Sequence, residues 1–173
     1  KHECYEPKTK KEDDGLDRCN LIRKEEFHEK RKENCFHMIE KKMKFANTIN
    51  TLVARFIRLS YSEEYQAEML IMERIRPIDF RGYEVEIREL WMDVFEDEIE
   101  QLHQAGFVHR DLQRPSGIGG LTYDNILLTD NGLRLIDVGI SALRTQVGAI
   151  IFDKYCEVER REIAAFKEFF LNR

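Results

Sequence analysis

Apolar positions along the chain either recur every three or four residues or run unbroken, and the two patterns alternate. Residues 23–45 contain no Gly or Pro and are rich in Glu, Lys, Arg and Met, which predicts a long helix. Phe36, Ile39 and Met43 give that helix one apolar stripe, and its other positions form a mixed-charge face suited to water. Two strand-like runs follow, at 51–59 (TLVARFIRL) and 66–75 (QAEMLIMERI). Glu63 and Glu64 between them predict a turn and an antiparallel pair, and Pro77 ends the second run. A second long helix is predicted over 86–105, with Leu90, Trp91, Val94, Phe95, Ile99 and Leu102 on one face. Gly106 stands just past it, where a left-handed cap belongs. Short strands are predicted at 107–108, 126–129 and 133–136, with Asp130-Asn131-Gly132 as the hairpin turn between the last two. A final helix over 151–171 carries Phe152, Tyr155, Ile163, Phe166, Phe169 and Phe170. Helices interleaved with short antiparallel pairs make the expected fold class α+β.

Composition narrows the function classes. The length of 173 residues suits one domain, or two small lobes sharing a core. Hydrophobic residues at 42% and charged residues at 35% argue against wholesale disorder. The net charge of −5 disfavours nucleic acid as a partner, because phosphate backbones need a basic surface. No apolar run is long enough for a transmembrane segment, and no charged-then-apolar start marks a secretory leader. Cys4, Cys19, Cys35 and Cys156 form no CxxC pair and read as free thiols, so the expected location is cytoplasmic, with a secreted effector as the alternative. The five histidines make no metal-binding pair of the HExxH kind. Acidic residues crowd the stretch 63–100, which is either a solvated face or a docking surface for a charged partner.

The chemistry concentrates between Leu102 and Gly139, which reads LHQAGFVHRDL, then an interruption, then DNILLTDNGLRLIDVG. A helix ending at Gly106 and a short strand deliver His109, Arg110 and Asp111 into a loop. Asn125 opens a hairpin and Asp137 follows its second strand, so two carboxylates and an amide converge at neighbouring strand ends. Oxygen donors so arranged suit Mg²⁺ with phosphates and water, and a carboxylate beside it can take a proton from a hydroxyl.

These residues resemble the protein-kinase superfamily. His109-Arg110-Asp111-Leu112 resembles the catalytic-loop HRDL, Asp124-Asn125-Ile126-Leu127-Leu128 the segment with the metal-binding Asn, and Asp137-Val138-Gly139 the DFG position. The resemblance implies a two-lobed fold, with a reduced small lobe over 1–75 and a minimal large lobe over 76–173. It implies ATP and Mg²⁺ as cofactors, Asp111 as catalytic base, Asn125 and Asp137 as metal ligands, and His109 as a structural hub. The run 70–75 resembles the hinge strand. Met72 is then the gatekeeper, the Glu73 carbonyl and Ile75 amide meet the adenine edge, and Leu127 floors the ring. Plain core packing is the competing account of that run. Lys24 resembles the lysine of the VAIK motif, Lys8 is its rival, and Glu29 and Glu33 are the candidate partners.

The chain departs from the family in three ways. Asp111 and Asn125 are separated by roughly nine residues more than in the family's HRDLxxxN motif. The extra stretch includes GIGG, read here as an inserted surface loop rather than a phosphate loop, because no Lys-Ser/Thr follows it. Leu112 and Tyr123 are its expected anchors. No Gly-rich phosphate-covering loop precedes the hinge, so it lies upstream of Lys1 or is dispensed with. No APE motif or long activation segment follows Gly139. The expected activity is phosphoryl transfer from ATP to a hydroxyl acceptor on a protein or small molecule, with a bacterial-type Ser/Thr protein kinase foremost. A sugar or lipopolysaccharide kinase and a non-catalytic pseudokinase scaffold are the alternatives.

Overall fold

The computed structural model describes residues 36–115 and 120–172, and residues 36–173 form one compact unit. Lys8, Lys24, Glu29 and Glu33, with the start of the first helix and the GIG of the insertion, lie outside the described residues. The architecture is mixed α+β.

Helix α1 covers 36–47 and buries Met43 and Ala46, one turn apart on the stripe that begins at Ile39. Asn47 closes it on two sides: Nδ2 donates to the Val53 carbonyl at 2.9 Å, and Oδ1 accepts from the Phe56 amide at 3.0 Å. The apolar run expected as a single strand over 51–59 divides its work. Its first half, Leu52–Ala54, is fully buried and bonds another strand, with Ala54 N to Leu135 O and Leu135 N to Leu52 O both at 2.8 Å. Regular hairpin pairing starts only at β1 (Phe56–Ser62), which runs antiparallel to β2 (Ala67–Met72) through a turn over 63–66. The β1–β2 register itself shifts between Phe56 and Arg58.

The connector after β2 is fastened by the Ile78 amide on the Leu128 carbonyl at 2.9 Å. Helix α2 (Val85–Ala105) buries Arg88, Met92, Phe95, Ile99, Leu102 and His103. Leu90 and Val94, expected on that face, are exposed. At about 100° per residue they fall opposite the stripe that Met92, Phe95 and Ile99 define. Gly106 caps the helix at φ 101°, and its amide reaches the Leu102 and His103 carbonyls.

Five short strands follow: β3 (Phe107–Val108), β4 (Arg114–Pro115), β5 (Leu121–Thr122), β6 (Ile126–Thr129) and β7 (Gly132–Leu135). β6 and β7 form the expected hairpin, from Ile126↔Leu135 to Thr129↔Gly132. β4 pairs with β5, so the insertion is a pinched hairpin at its base rather than an open loop. Its two anchors hold: Leu112 is buried, and the Tyr123 ring packs on Phe166 and Phe169 at 5.1 Å each. β8 (Ala142–Leu143) returns to pair with β3. The short helix α3 (Arg144–Val147) leads into α4 (Ala149–Leu171), which starts two residues earlier than the sequence predicts.

One apolar core runs from Met43 and Leu52 through Phe95 and Leu135 to Phe166 and Phe170. Each fully buried Leu or Phe in it contributes about 1.5–3 kcal/mol relative to exposure. Among the described residues no helix is long and apolar enough to cross a membrane.

Candidate functional site

The loop after β3 is held by side chains from elsewhere in the fold. His109 is fully buried and its Nε2 donates to the Ile136 carbonyl at 2.9 Å. A carbonyl only accepts, so the proton sits on Nε2 and the buried Nδ1 is left without a partner. Glu159 of α4, 1% exposed, accepts from the Arg110 amide at 2.5 Å and from His103 Nε2 at 2.9 Å. One turn on, Glu162 lies beside the Leu112 amide, with its Oε2 buried and without a partner. The two carboxylates thus flank Asp111, Glu159 bonded to the amide before it and Glu162 beside the residue after. Burial, with Glu159 nearby, pushes the Glu162 carboxyl up to about 7. Arg110 stands at φ 71°, lays its guanidinium 3.9 Å from the Tyr155 ring centre and donates to the Ile140 carbonyl at 3.0 Å.

Asp111, Asn125 and Asp137 meet at the mouth of the β6–β7 hairpin. Asn125, 5% exposed, donates Nδ2 to the Asp111 carbonyl at 2.7 Å. Asp137 has φ 58°, and its Oδ1 accepts from the Gly139 amide at 3.3 Å. Left-handed backbone at a non-glycine costs on the order of 1 kcal/mol or more, and Arg110 and Asp137 place two such residues around one site. Arg114 joins the two acids: Nε donates to Asp111 Oδ1 at 2.7 Å, Nη2 bonds Asp111 Oδ2, and Nη2 lies 3.5 Å from Asp137 Oδ2. The Arg114 guanidinium holds the Asp111 carboxyl below the usual carboxylate range. Lys42 of α1, buried, donates to the Gly139 carbonyl at 3.1 Å.

The donor set fits Mg²⁺. Asn125 spends its nitrogen on Asp111, so Oδ1 is the atom it can offer a metal, and the half-exposed Asp137 carboxylate lies 3.5 Å from the Arg114 nitrogen that also bonds Asp111. Among the described residues no three acidic, His or Cys side chains gather into a complete cage. Two hard oxygen donors completed by phosphates and waters are the usual arrangement for Mg²⁺.

The residues expected to hold the nucleotide are spread over two concavities. Leu127, half-buried, lines a cavity of about 700 Å³ with Ile78, Tyr123, Asp124 and Phe169. Glu73 and Ile75 line a smaller cleft of about 270 Å³ with Arg74, Arg76 and Arg134. The Glu73 side chain is engaged by the Arg55 amide at 2.9 Å and by Arg134. Met72, the last residue of β2, is 39% exposed.

Sequence reasoning missed Arg114, Lys42, Glu159 and Glu162. Glu159 left a readable trace, since it occupies a core position of the stripe Phe152, Cys156, Ile163, Phe166, Phe170. An acid in such a stripe needs a buried donor. Arg114 and Lys42 left none, because a charged residue in a polar stretch reads as solvated. No protein-family model matches the chain, and no curated protein matches it.

Proposed function

We propose that the chain is a phosphotransferase of the protein-kinase-like kind, moving the γ-phosphate of ATP to a hydroxyl acceptor in the presence of Mg²⁺. A Ser/Thr side chain of a protein is the first candidate acceptor. The observation that carries the proposal is the Asn125 Nδ2 bond to the Asp111 carbonyl at 2.7 Å. It joins the two halves of the motif across the insertion that separates them in sequence, and Asp137 stands one guanidinium away.

Asp111 then orients the acceptor hydroxyl and accepts its proton. Asn125 Oδ1 and Asp137 would hold the metal, which would supply charge neutralisation at the phosphates. Glu159 fixes the backbone just before Asp111, so the carboxylate is positioned before the substrate arrives. The Arg114 pairing of Asp111 favours one second reading, a nucleotide-binding scaffold without turnover.

A thermal-shift titration with ATP, with and without Mg²⁺, followed by transfer of labelled γ-phosphate to a generic Ser/Thr protein acceptor, tests the proposal. Mg²⁺-dependent stabilisation and transfer are expected, with Asp111→Asn binding nucleotide but transferring about 10²-fold less. Absence of both stabilisation and transfer overturns the proposal, and stabilisation without transfer selects the scaffold.

A further inference from the structure

Arg114 spans the two acids of the site. Its guanidinium makes a two-pronged pair with Asp111 and reaches Asp137 Oδ2 at 3.5 Å from the same terminal nitrogen. The backbone beneath it is fixed, because β4 pairs Arg114 with Thr122 of β5. The side chain is about a third exposed, so its head can leave without unpacking a core. Two neighbouring carboxylates repel one another, and one cation between them relieves that repulsion. The same cation opposes the work proposed for both acids. A carboxylate gripped by an arginine fork is a poor proton acceptor. A divalent ion approaching Asp137 meets a positive charge already there. Both obstacles vanish together if the fork finds another anion of matching shape, and a phosphate is one.

We propose that Arg114 is a switching counter-ion, which closes the site at rest by bridging Asp111 and Asp137 and moves to the terminal phosphate of an incoming nucleoside triphosphate, releasing both acids. The inference rests on the phosphotransferase reading. It adds to that reading a resting state and a residue that discriminates triphosphate from diphosphate. An arginine suits the exchange better than a lysine, because its planar fork can grip a carboxylate or a phosphate with two parallel bonds.

The test uses the full chain and its Arg114→Gln and Arg114→Lys variants. Binding of Mn²⁺ alone is followed by electron paramagnetic resonance, and binding of ADP and a non-hydrolysable ATP analogue by calorimetry in Mg²⁺. Removal of the guanidinium should tighten Mn²⁺ binding several-fold, because the competing cation is gone. It should also cut the preference for the triphosphate over ADP by about tenfold, the scale of a lost charge-assisted bond. Arg114→Lys keeps a charge without the fork and should move both readouts in the same direction by less. If Arg114→Gln does not fold, Arg114→Lys carries the test alone. Nucleotide binding with an unchanged triphosphate preference in the variant overturns the switch and leaves the phosphotransferase reading standing. Weaker Mn²⁺ binding in the variant also overturns the switch. Failure of the wild-type chain to bind any nucleotide overturns both.

Discussion

Glu159 accepts the main-chain amide of Arg110 at 2.5 Å, so the last helix of the chain grips the residue immediately before the proposed base. The contact joins positions far apart in sequence and is sealed from water, with Glu159 1% exposed. Arg110 needs such a grip, because its φ of 71° is a conformation that a non-glycine residue keeps only when its surroundings enforce it. The geometry of Asp111 therefore depends on α4 being folded.

Glu159→Ala should be among the most damaging single substitutions in the domain. It strands the Arg110 amide and His103 Nε2 as buried donors, at about 1–3 kcal/mol apiece. Glu159→Gln retains one acceptor oxygen and should cost clearly less. Urea unfolding of both variants decides the matter, and equal midpoints for Ala, Gln and wild type would contradict the buried clamp.

Asn125→Ala removes the donor that fastens the Asp111 carbonyl and leaves a small buried void. A loss of about 1–3 kcal/mol follows from the unsatisfied acceptor. In a chain of this size that lowers the melting temperature by several degrees. Asn125→Asp keeps the volume but replaces the donor with a carboxylate facing a carbonyl, and should melt no higher than the alanine variant. A wild-type melting temperature for either variant would show that the 2.7 Å bond contributes little.

Elements with an internal period were legible in the sequence. The α2 and α4 spans, the β6–β7 hairpin with its Asp130-Asn131-Gly132 turn and the left-handed Gly106 all stand where local pattern puts them. Legibility failed where a residue's partner lies far away in sequence. Leu90 and Val94 are apolar and lie on a helix, yet face outward because the core engages only the Met92 side. Residues 52–54 read as strand, but the local pattern pairs them with 66–75, since nothing local says that they bond Leu135. In the site, Asp111, Asn125 and Asp137 were readable as a motif. Arg114 and Glu162 were not: Arg114 stands three residues from Asp111 in a polar stretch where a charge reads as solvated, and Glu162 comes to the loop from a distant helix.

Gly106→Ala should destabilise the fold although the change adds one methyl. The backbone there has φ 101°, and a Cβ would come within 3.2 Å of the Arg144 Cβ. Neither neighbour retreats easily, because the Arg144 amide donates to the Gly106 carbonyl at 2.8 Å. Loss of the left-handed cap costs on the order of 1 kcal/mol, with the close contact adding to it. Thermal melting should fall by a few degrees, and an unchanged or higher melting temperature would show that the backbone relaxes at no cost.

The pH dependence of stability should carry the signature of Glu162. Burial pushes its carboxyl from the ordinary 4.5 up to about 7, with the neighbouring Glu159 adding to the rise. Below about 4.5 the group is protonated in both folded and unfolded chains and contributes no slope. Between 4.5 and 7 the folded chain keeps a proton that the unfolded chain has released, so stability falls as pH rises. Above about 7 the folded chain carries the buried charge and the whole of the penalty. Glu162→Gln is neutral throughout. The variant should therefore melt close to wild type near pH 4.5 and progressively above it as pH rises, levelling off past pH 7. Water reaching the exposed part of the side chain reduces the amplitude without changing its sign. Melting curves of the two proteins at half-unit pH steps, compared as differences so that other titrating groups cancel, provide the measurement. A difference that is flat across this window, or that shrinks as pH rises, would mean that the Glu162 carboxyl is solvated.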